Sequence, residues 1–247
     1  MEKTLTNIYT YKVLPQDLDG KRHFRAVALE RVLLNVAGQA AVDRDFGAFK
    51  LIDSGGVSWV LLRFAVEMSA MPSDEDTLTI ETWVESVHRI LTSRDFVVRN
   101  RAGEVIGYAT SEWTVLNLQT RRPVSISPDD PISSYVTGQT VPIAMPGKLP
   151  SPSFEECAEP HRVKVSYSDI DYNGHTNSMQ YLQWMLDSYP IDKLYSSTLK
   201  RLEINYIHEV RHGETVDVYW QDTPDGTLFA VRDSSGAECV RARIIWR

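Results

Sequence analysis

The chain has 247 residues, of which 43% are hydrophobic and 24% charged, and its formal net charge is -7 at pH 7. This composition is typical of a globular protein with one large domain or two small ones, and the negative charge argues against nucleic acid as a partner. No apolar run approaches the roughly 18 residues that a membrane helix requires. The first residues, MEKTLTNIYTYKV, resemble neither a signal peptide nor a transit peptide, which predicts a cytoplasmic protein or a mature form.

The cysteine count limits the chemistry further. Cys157 and Cys239 are the only cysteines in the sequence. Two cysteines fit neither a disulfide scaffold nor a zinc site. We expect no metal, and we predict no cofactor.

The first half of the chain reads as one helix followed by strands. The helix is predicted over about 26–45, and strands follow at LRFAVEM (62–68) and DTLTIETWV (76–84). Residues 96–117 read as a hairpin, because two alternating strands flank a turn that contains a glycine. The segment 146–160 is rich in Pro and Ser, which is typical of a linker between domains.

The second half repeats this order of elements. Its hairpin matches the first at a constant offset of 133 residues, and the matched pairs are Val98 with Val231, Arg99 with Arg232, Gly103 with Gly236 and Trp113 with Trp246. A second helix is predicted over 177–188, with Asn177 and Gln180 as a weak capping box at its start. One helix at the same place in each half argues against two all-β sandwiches. It predicts an α+β fold in which each half wraps an antiparallel sheet around its helix.

A polar cluster precedes the second helix, in SDIDYNGHTN (168–177). Asp171, Asn173 and His175 alternate, so an extended segment would present them on one side. The free N–H groups of a helix start favour negative charge, and Gly174 lets the backbone approach a ligand closely. The same residue types also dominate turns. The pattern alone therefore leaves a turn and a catalytic site as alternatives.

The wider motif DYNGHTNSMQYLQWMLDS resembles the signature of plant-type acyl-[acyl-carrier-protein] thioesterases. WVLLRFAVEM, TWVESVHRILTSRDFVVRN and TRRPVSI in the first half resemble that family too, and the tandem repeat resembles the double hotdog fold. The resemblance implies a hotdog domain over 1–145 that holds the acyl chain, a linker over 146–160 and a catalytic hotdog domain over 161–247. It implies hydrolysis of fatty acyl-ACP, which releases free fatty acid and ends chain elongation.

The resemblance also implies the catalytic residues, which would be Asp171, Asn173, His175 and a glutamate on the following strand, Glu209. Thioester hydrolysis needs an activated water or a nucleophile and donors for the oxyanion. Glu209 would act as the base or the nucleophile. The family's cysteine next to this glutamate is Val210 here, so no thiol is available at that position.

The first half carries a second version of the motif. Asp17, Asp19 and His23 match Asp169, Asp171 and His175 at an offset of 152, and Glu67 is matched to Glu209. Lys21 stands where the second half has Asn173, which predicts an inactive site. In the family the first half instead shapes the acyl pocket. The predicted substrate-binding residues are Val32, Leu33, Val36 and Ala40 of the first helix, together with Gly174.

The partner implied by the resemblance is an acidic acyl carrier protein with a phosphopantetheine arm. A basic patch should receive it, and the candidates are Arg89, Arg94, Arg121 and Arg122. Two alternatives remain open, an acyl-CoA thioesterase with the same site and a non-enzymatic protein that binds lipid or acyl carrier. A monomer and a homodimer both fit the repeat.

Overall fold

Two units, Met1–Met145 and Pro146–Arg247, make up the chain, and a computed structural model describes residues 4–247. In the first unit the strands form an antiparallel sheet in the order β1-β3-β4-β5-β2. Short 3-10 helices lie at Pro15–Asp17 and Pro131–Tyr135. The main elements of this unit are β1 (Asn7–Lys12), α1 (Ala26–Val42), α2 (Ala48–Gly55), β2 (Val57–Met68), β3 (Thr77–His88), β4 (Leu91–Arg99) and β5 (Val105–Asn117).

The second unit has the same succession of elements. Its strands form an antiparallel sheet in the order β7-β10-β9-β8-β6, and a 3-10 helix lies at Tyr167–Asp169. The main elements are β6 (His161–Lys164), α3 (Ser178–Asp187), α4 (Ile191–Ser196), β7 (Leu199–Tyr206), β8 (Thr215–Thr223), β9 (Gly226–Asp233) and β10 (Glu238–Trp246).

Each unit therefore has the hotdog arrangement, in which one main helix packs on an antiparallel sheet. α1 contacts β1 and β3, and α3 contacts β8 and β9. The predicted α+β fold with two hotdog repeats is confirmed. The short helices α2 and α4 were not predicted. α1 is shorter than expected because Asp43 forms its C-cap and Asp45 turns the chain with a positive φ of 67°.

The core of the first unit lies between α1 and its sheet. Leu29 and Leu33 of α1 are fully buried, as is Phe96 of β4. Leu29, Leu33, Val36 and Ala40 recur at helical spacing, so one face of α1 is apolar along its length. Burying each large apolar side chain stabilises the fold by about 1.5–3 kcal/mol.

The predicted linker, 146–160, contains no helix or strand but packs within the second unit. The N–H of Leu149 donates to Oδ1 of Asn205 in β7 at 2.8 Å, and the Leu149 side chain is buried. The Ser151 hydroxyl donates to Glu238 in β10 at 2.6 Å. These contacts fix the segment to the sheet, so it is not a free spacer.

Among residues 4–247, no helix combines the length and the apolar composition needed to cross a bilayer. Within the same range, no group of three or more His, Cys, Asp or Glu side chains is arranged to hold a metal ion.

Candidate active site

The polar cluster before α3 forms a tight turn around one carboxylate. Oδ1 of Asp171 accepts the backbone N–H of Asn173 at 2.8 Å and that of His175 at 3.4 Å. The N–H of Asp171 donates back to the carbonyl of His175 at 2.8 Å, which closes the turn. The sequence left a turn and a catalytic site as alternatives. The structure shows the turn, and the turn places the side chains of Asn173 and His175 beside the start of a helix.

The first unit builds the same turn from different residues. Oδ1 of Asp19 accepts the backbone N–H groups of Lys21 and His23, both at 2.8 Å, and the N–H of Asp19 donates to the carbonyl of His23 at 2.9 Å. The offset of 152 residues therefore holds in three dimensions. Arg22 has a φ of 65° where Gly174 has 76°. That left-handed conformation costs a side-chain-bearing residue roughly 1–2 kcal/mol, whereas glycine adopts it freely.

The start of α3 is fixed to this turn. Asn177 is the N-cap, as predicted, because its Oδ1 accepts the N–H of Met179 at 3.2 Å. The N–H of Asn177 donates to the carbonyl of Asp169 at 2.8 Å. The carboxylate of Asp169 in turn accepts the N–H of Ser166 at 2.7 Å. The positive end of the α3 dipole thus lies next to the Asn173–His175 segment.

The structure brings His175 and Glu209 together. Nε2 of His175 lies 3.2 Å from Oε2 of Glu209, and the exposed fractions of the two side chains are 14% and 33%. The separation allows the imidazole Nε2–H to donate to the carboxylate. A half-buried carboxylate oriented by an imidazole at a helix start can activate water or attack a carbonyl directly.

Glu209 does not lie on a strand, which corrects the sequence prediction. β7 ends at Tyr206, and the N–H groups of Ile207 and His208 both donate to the carbonyl of Cys239, at 2.8 and 3.1 Å. Two residues that share one carbonyl form a bulge, and the chain leaves the ladder there. Glu209 consequently lies in the loop that follows, which turns toward the Asp171 turn.

The loop is fixed to the turn at Val210. The carbonyl of Val210 accepts the N–H of Thr176 at 2.8 Å, and its N–H donates to the hydroxyl of Tyr181 in α3 at 3.1 Å. A β-bridge joins His175 to Arg211. Val210 is fully buried, so a side chain at this position faces the core and not the reaction.

The strand register also corrects the pairing of Glu67 with Glu209. Met68 is paired with Gly107, and Tyr206 is paired with Val240. The hairpins repeat at an offset of 133, so Met68 corresponds to Tyr206, and Glu67 corresponds to the neighbouring residue Asn205. The counterpart of Glu209 is Met71, which carries no acid.

The histidine of the first unit, His23, has a different environment from that of His175. Nδ1 of His23 lies 3.4 Å from Oδ2 of Asp19 within its own turn, and the His23 side chain is 54% exposed. His175, by contrast, is largely buried and faces Glu209. In the described part of the first unit, His23 therefore pairs with the aspartate of its own turn and not with an acid on the loop after β2.

Neither cysteine has the environment of a nucleophile. Burial raises the pKa of the Cys239 thiol to about 12 and also raises the pKa of Cys157. The Cys239 thiol points to the carbonyl of Ala237 at 3.7 Å. A thiolate is the reactive form of cysteine, so both residues are held in the unreactive form at neutral pH.

The predicted substrate-binding residues of α1 all lie in the core of the first unit. Val32, Leu33, Val36 and Ala40 are each at most 8% exposed. That position suits the wall of an acyl pocket and equally suits ordinary core packing, so their contact with substrate stays a prediction. Gly174 lies in the Asp171 turn and is exposed.

The predicted carrier patch needs one correction. Arg89, Arg121 and Arg122 are exposed, whereas Arg94 is only 8% exposed and donates to the hydroxyl of Thr82 at 3.3 Å. Burial lowers the pKa of Arg94 to about 10. Arg94 is excluded from a surface patch because residues two apart on a strand share a face, so Arg94 lies on the same buried face of β4 as the core residues Phe96 and Val98.

Comparison with known proteins identifies the family of the chain. The family model described as the acyl-ACP thioesterase N-terminal domain matches residues 5–135, and that of the C-terminal domain matches residues 154–247. An acyl-ACP thioesterase from Bacteroides thetaiotaomicron is 30% identical, with a TM-score of 0.90 and 98% of each chain covered. The 12:0-ACP thioesterase from Umbellularia californica shares the fold, with a TM-score of 0.90 at 21% identity over 99% of this chain and 98% of that one.

Curated relatives from plants match a smaller part of each protein. The chloroplastic oleoyl-acyl carrier protein thioesterase of Coriandrum sativum is 34% identical over 64% of this chain and 46% of its own length. A chloroplastic oleoyl-acyl carrier protein thioesterase of Arabidopsis thaliana is 31% identical over 72% of this chain and 52% of its own length. The chain thus spans about half the length of these relatives. With both domain models matched in order and the fold shared along the whole chain, the chain belongs to the acyl-ACP thioesterase family.

Proposed function

We propose that this protein hydrolyses the thioester of fatty acyl-ACP and releases free fatty acid, which ends chain elongation. The observation that carries the proposal is the 3.2 Å contact between His175 and Glu209 at the start of α3. Family membership supplies the substrate class, because the relatives are named as thioesterases of oleoyl-acyl carrier protein.

In the proposed reaction Glu209 is the general base. It removes a proton from water while the water oxygen attacks the thioester carbonyl carbon, and the carbonyl oxygen becomes an oxyanion. The tetrahedral intermediate then collapses, the carbon–sulfur bond breaks, and the proton on Glu209 passes to the leaving thiolate. Direct attack by Glu209, which would form an acyl anhydride that water then hydrolyses, is the variant of this mechanism.

His175 orients Glu209 in this scheme. Its Nε2 faces Oε2 of Glu209, so the same N–H is engaged and does not serve as the main oxyanion donor. Orientation of a base by a second group is a recurring device in such sites. We therefore assign His175 the role of holding the carboxylate of Glu209.

Asn173 supplies the donor for the oxyanion or positions the water. Its backbone N–H donates to Asp171. Its side-chain amide has no hydrogen-bond partner among the described residues, 4–247. The amide is partly exposed beside the α3 N-terminus, where developing negative charge is stabilised. Asp171 acts through the backbone, because its Oδ1 holds the turn that presents both Asn173 and His175.

The first unit serves a different purpose in this proposal. It has the turn of Asp19 but lacks both the amide, since Lys21 replaces it, and the acid, since Met71 replaces it. We assign it the acyl chain, with Val32, Leu33, Val36 and Ala40 among the pocket residues. The carrier protein is acidic, and the exposed residues Arg89, Arg121 and Arg122 are its proposed contacts. We also propose that the protein is cytoplasmic and that it forms a homodimer.

The test is competition between acyl-ACP and acyl-CoA that carry the same acyl chain. We expect a higher kcat/KM for the acyl-ACP. A preference for acyl-CoA would replace the proposal by the acyl-CoA thioesterase alternative. Tight binding of acyl-ACP without turnover would replace it by the non-enzymatic binding protein.

A further inference from the structure

We propose that Tyr181 is a positioning residue for the reaction, because its hydroxyl holds the loop that carries Glu209 against the turn that carries His175. The inference rests on the proposed function and deepens it. The ring of Tyr181 belongs to the buried face of α3. The hydroxyl has a separate partner, the backbone N–H of Val210 at 3.1 Å.

The need for such a contact follows from the bulge after β7. The ladder fixes the backbone through Tyr206, and the next strand begins at Thr215. Glu209 lies between these points, outside the ladder. Val210 follows Glu209, and both of its backbone polar groups are hydrogen-bonded. Its carbonyl accepts the N–H of Thr176 at 2.8 Å, and its N–H donates to the hydroxyl of Tyr181.

The environment of Tyr181 suits a fixed hydrogen-bonding role. The side chain is 3% exposed, and its ring lies 5.4 Å from that of Trp184 and 6.3 Å from that of Tyr206, both in edge-on contact. Burial raises the pKa of the Tyr181 phenol well above its usual range, so the group stays neutral and exchanges no proton during the reaction. Because the packed ring fixes the position of the hydroxyl, its hydrogen bond can hold the loop with Glu209 at a fixed distance from α3.

The repeat provides an internal comparison. α1 starts at Ala26 and α3 at Ser178, so the offset of 152 residues places Leu29 where the second unit has Tyr181. Leu29 is fully buried and has no polar atom in its side chain. The hydroxyl is therefore present in the unit that has the glutamate and absent from the unit that has Met71.

The test compares two tyrosines that lose the same atom. Tyr181→Phe removes the hydroxyl bound to Val210. Tyr189→Phe removes the hydroxyl of another buried tyrosine of the same unit, which donates to Asp222 at 2.9 Å and lies outside the site. The readouts are kcat and KM for acyl-ACP and the hydrogen-exchange rate of the Val210 amide in the full chain.

We expect Tyr181→Phe to lower kcat roughly 10-fold with KM within twofold, and to speed exchange of the Val210 amide, because a small displacement of a catalytic group is costly. Tyr189→Phe should change neither. In a Glu209→Gln background Tyr181→Phe should lower kcat no further, since there is no longer a base to position.

Three results would overturn the inference. They are an unchanged Val210 exchange rate in Tyr181→Phe, an equal loss of kcat in Tyr189→Phe, and a full additional loss in the Glu209→Gln background. Absence of turnover in the wild-type protein would instead refute the proposed function. The Val210 exchange rate would then still decide whether Tyr181 holds the loop.

Discussion

Asp19 and Asp171 occupy the same place in the two repeats, and the carboxylate of each accepts the backbone N–H two residues further along at 2.8 Å. The two aspartates thus stabilise equivalent turns, but the residues around the two turns differ. Near Asp171 the turn presents His175 to Glu209 on another loop, whereas near Asp19 the histidine, His23, faces the carboxylate of Asp19 itself. This difference separates the role of the turn in stability from its role in catalysis.

The first prediction uses that symmetry. Asp171→Ala and Asp19→Ala each leave turn N–H groups without their acceptor, and each should lower the free energy of unfolding by about 1 kcal/mol. Only Asp171→Ala should also lower kcat, because only that turn orients reacting groups. Urea unfolding and steady-state kinetics measure the two effects. An equal loss of kcat in both variants would show that the loss reflects stability alone.

The second prediction concerns the side-chain amide of Asn173, the proposed donor to the oxyanion. Asn173→Ala should lower kcat roughly 10²–10³-fold, the usual cost of one oxyanion donor, with little change in thermal stability. The matched variant is Lys21→Ala, at the same position of the first-unit turn. It should leave kcat within twofold. A normal kcat in Asn173→Ala would remove the amide from the mechanism.

The repeat could be read from the sequence because turns and hairpins depend on local residue types. Asp171 and Asp19 accept N–H groups two and four residues away, so the turn is encoded within a few residues. The two main helices, α1 and α3, followed from apolar spacing in the same way. The family resemblance then identified Glu209, which no local pattern distinguishes from a surface acid.

The sequence predictions were wrong where the local structure depends on hydrogen bonds to backbone groups far away in the sequence. The bulge at Ile207 and His208 depends on a carbonyl of β10, and it moves Glu209 off the strand. The first unit has the same bulge, because Ser69 and Ala70 both donate to the carbonyl of Ile106, and in that register Glu67 corresponds to Asn205 and not to Glu209. The contact between Tyr181 and Val210 joins residues 29 positions apart through a backbone N–H, which leaves no mark in the side-chain pattern.

The third prediction separates the surface arginines from the buried one. Arg122→Glu should lower kcat/KM for acyl-ACP at low salt, and the difference from wild type should shrink as salt screens the charges. Arg94→Ala should instead lower the melting temperature, since it removes a buried side chain from β4. If kcat/KM fell in a salt-dependent way in Arg94→Ala and not in Arg122→Glu, the revised patch would be disproved.

The fourth prediction concerns thiol reagents. Burial raises the pKa of Cys239 to about 12, so the thiol stays protonated, and hence unreactive, at every pH well below that value. Treatment with iodoacetamide at pH 8 should leave activity intact. Activity of Cys157→Ser should match that of wild type. Rapid inactivation that Cys239→Ser abolishes would mean that a thiol takes part after all.

The most direct measurement is thiol release from acyl-ACPs of varied chain length by the wild type, Glu209→Gln and Glu67→Gln. Glu67→Gln is the matched control, because it makes the same change in β2 of the first unit. We predict turnover by the wild type and by Glu67→Gln, and a loss of roughly 10²–10⁴-fold in Glu209→Gln, the usual contribution of a general base. Equal turnover by all three proteins would contradict the assignment of Glu209, and no turnover by the wild type would contradict the hydrolase itself.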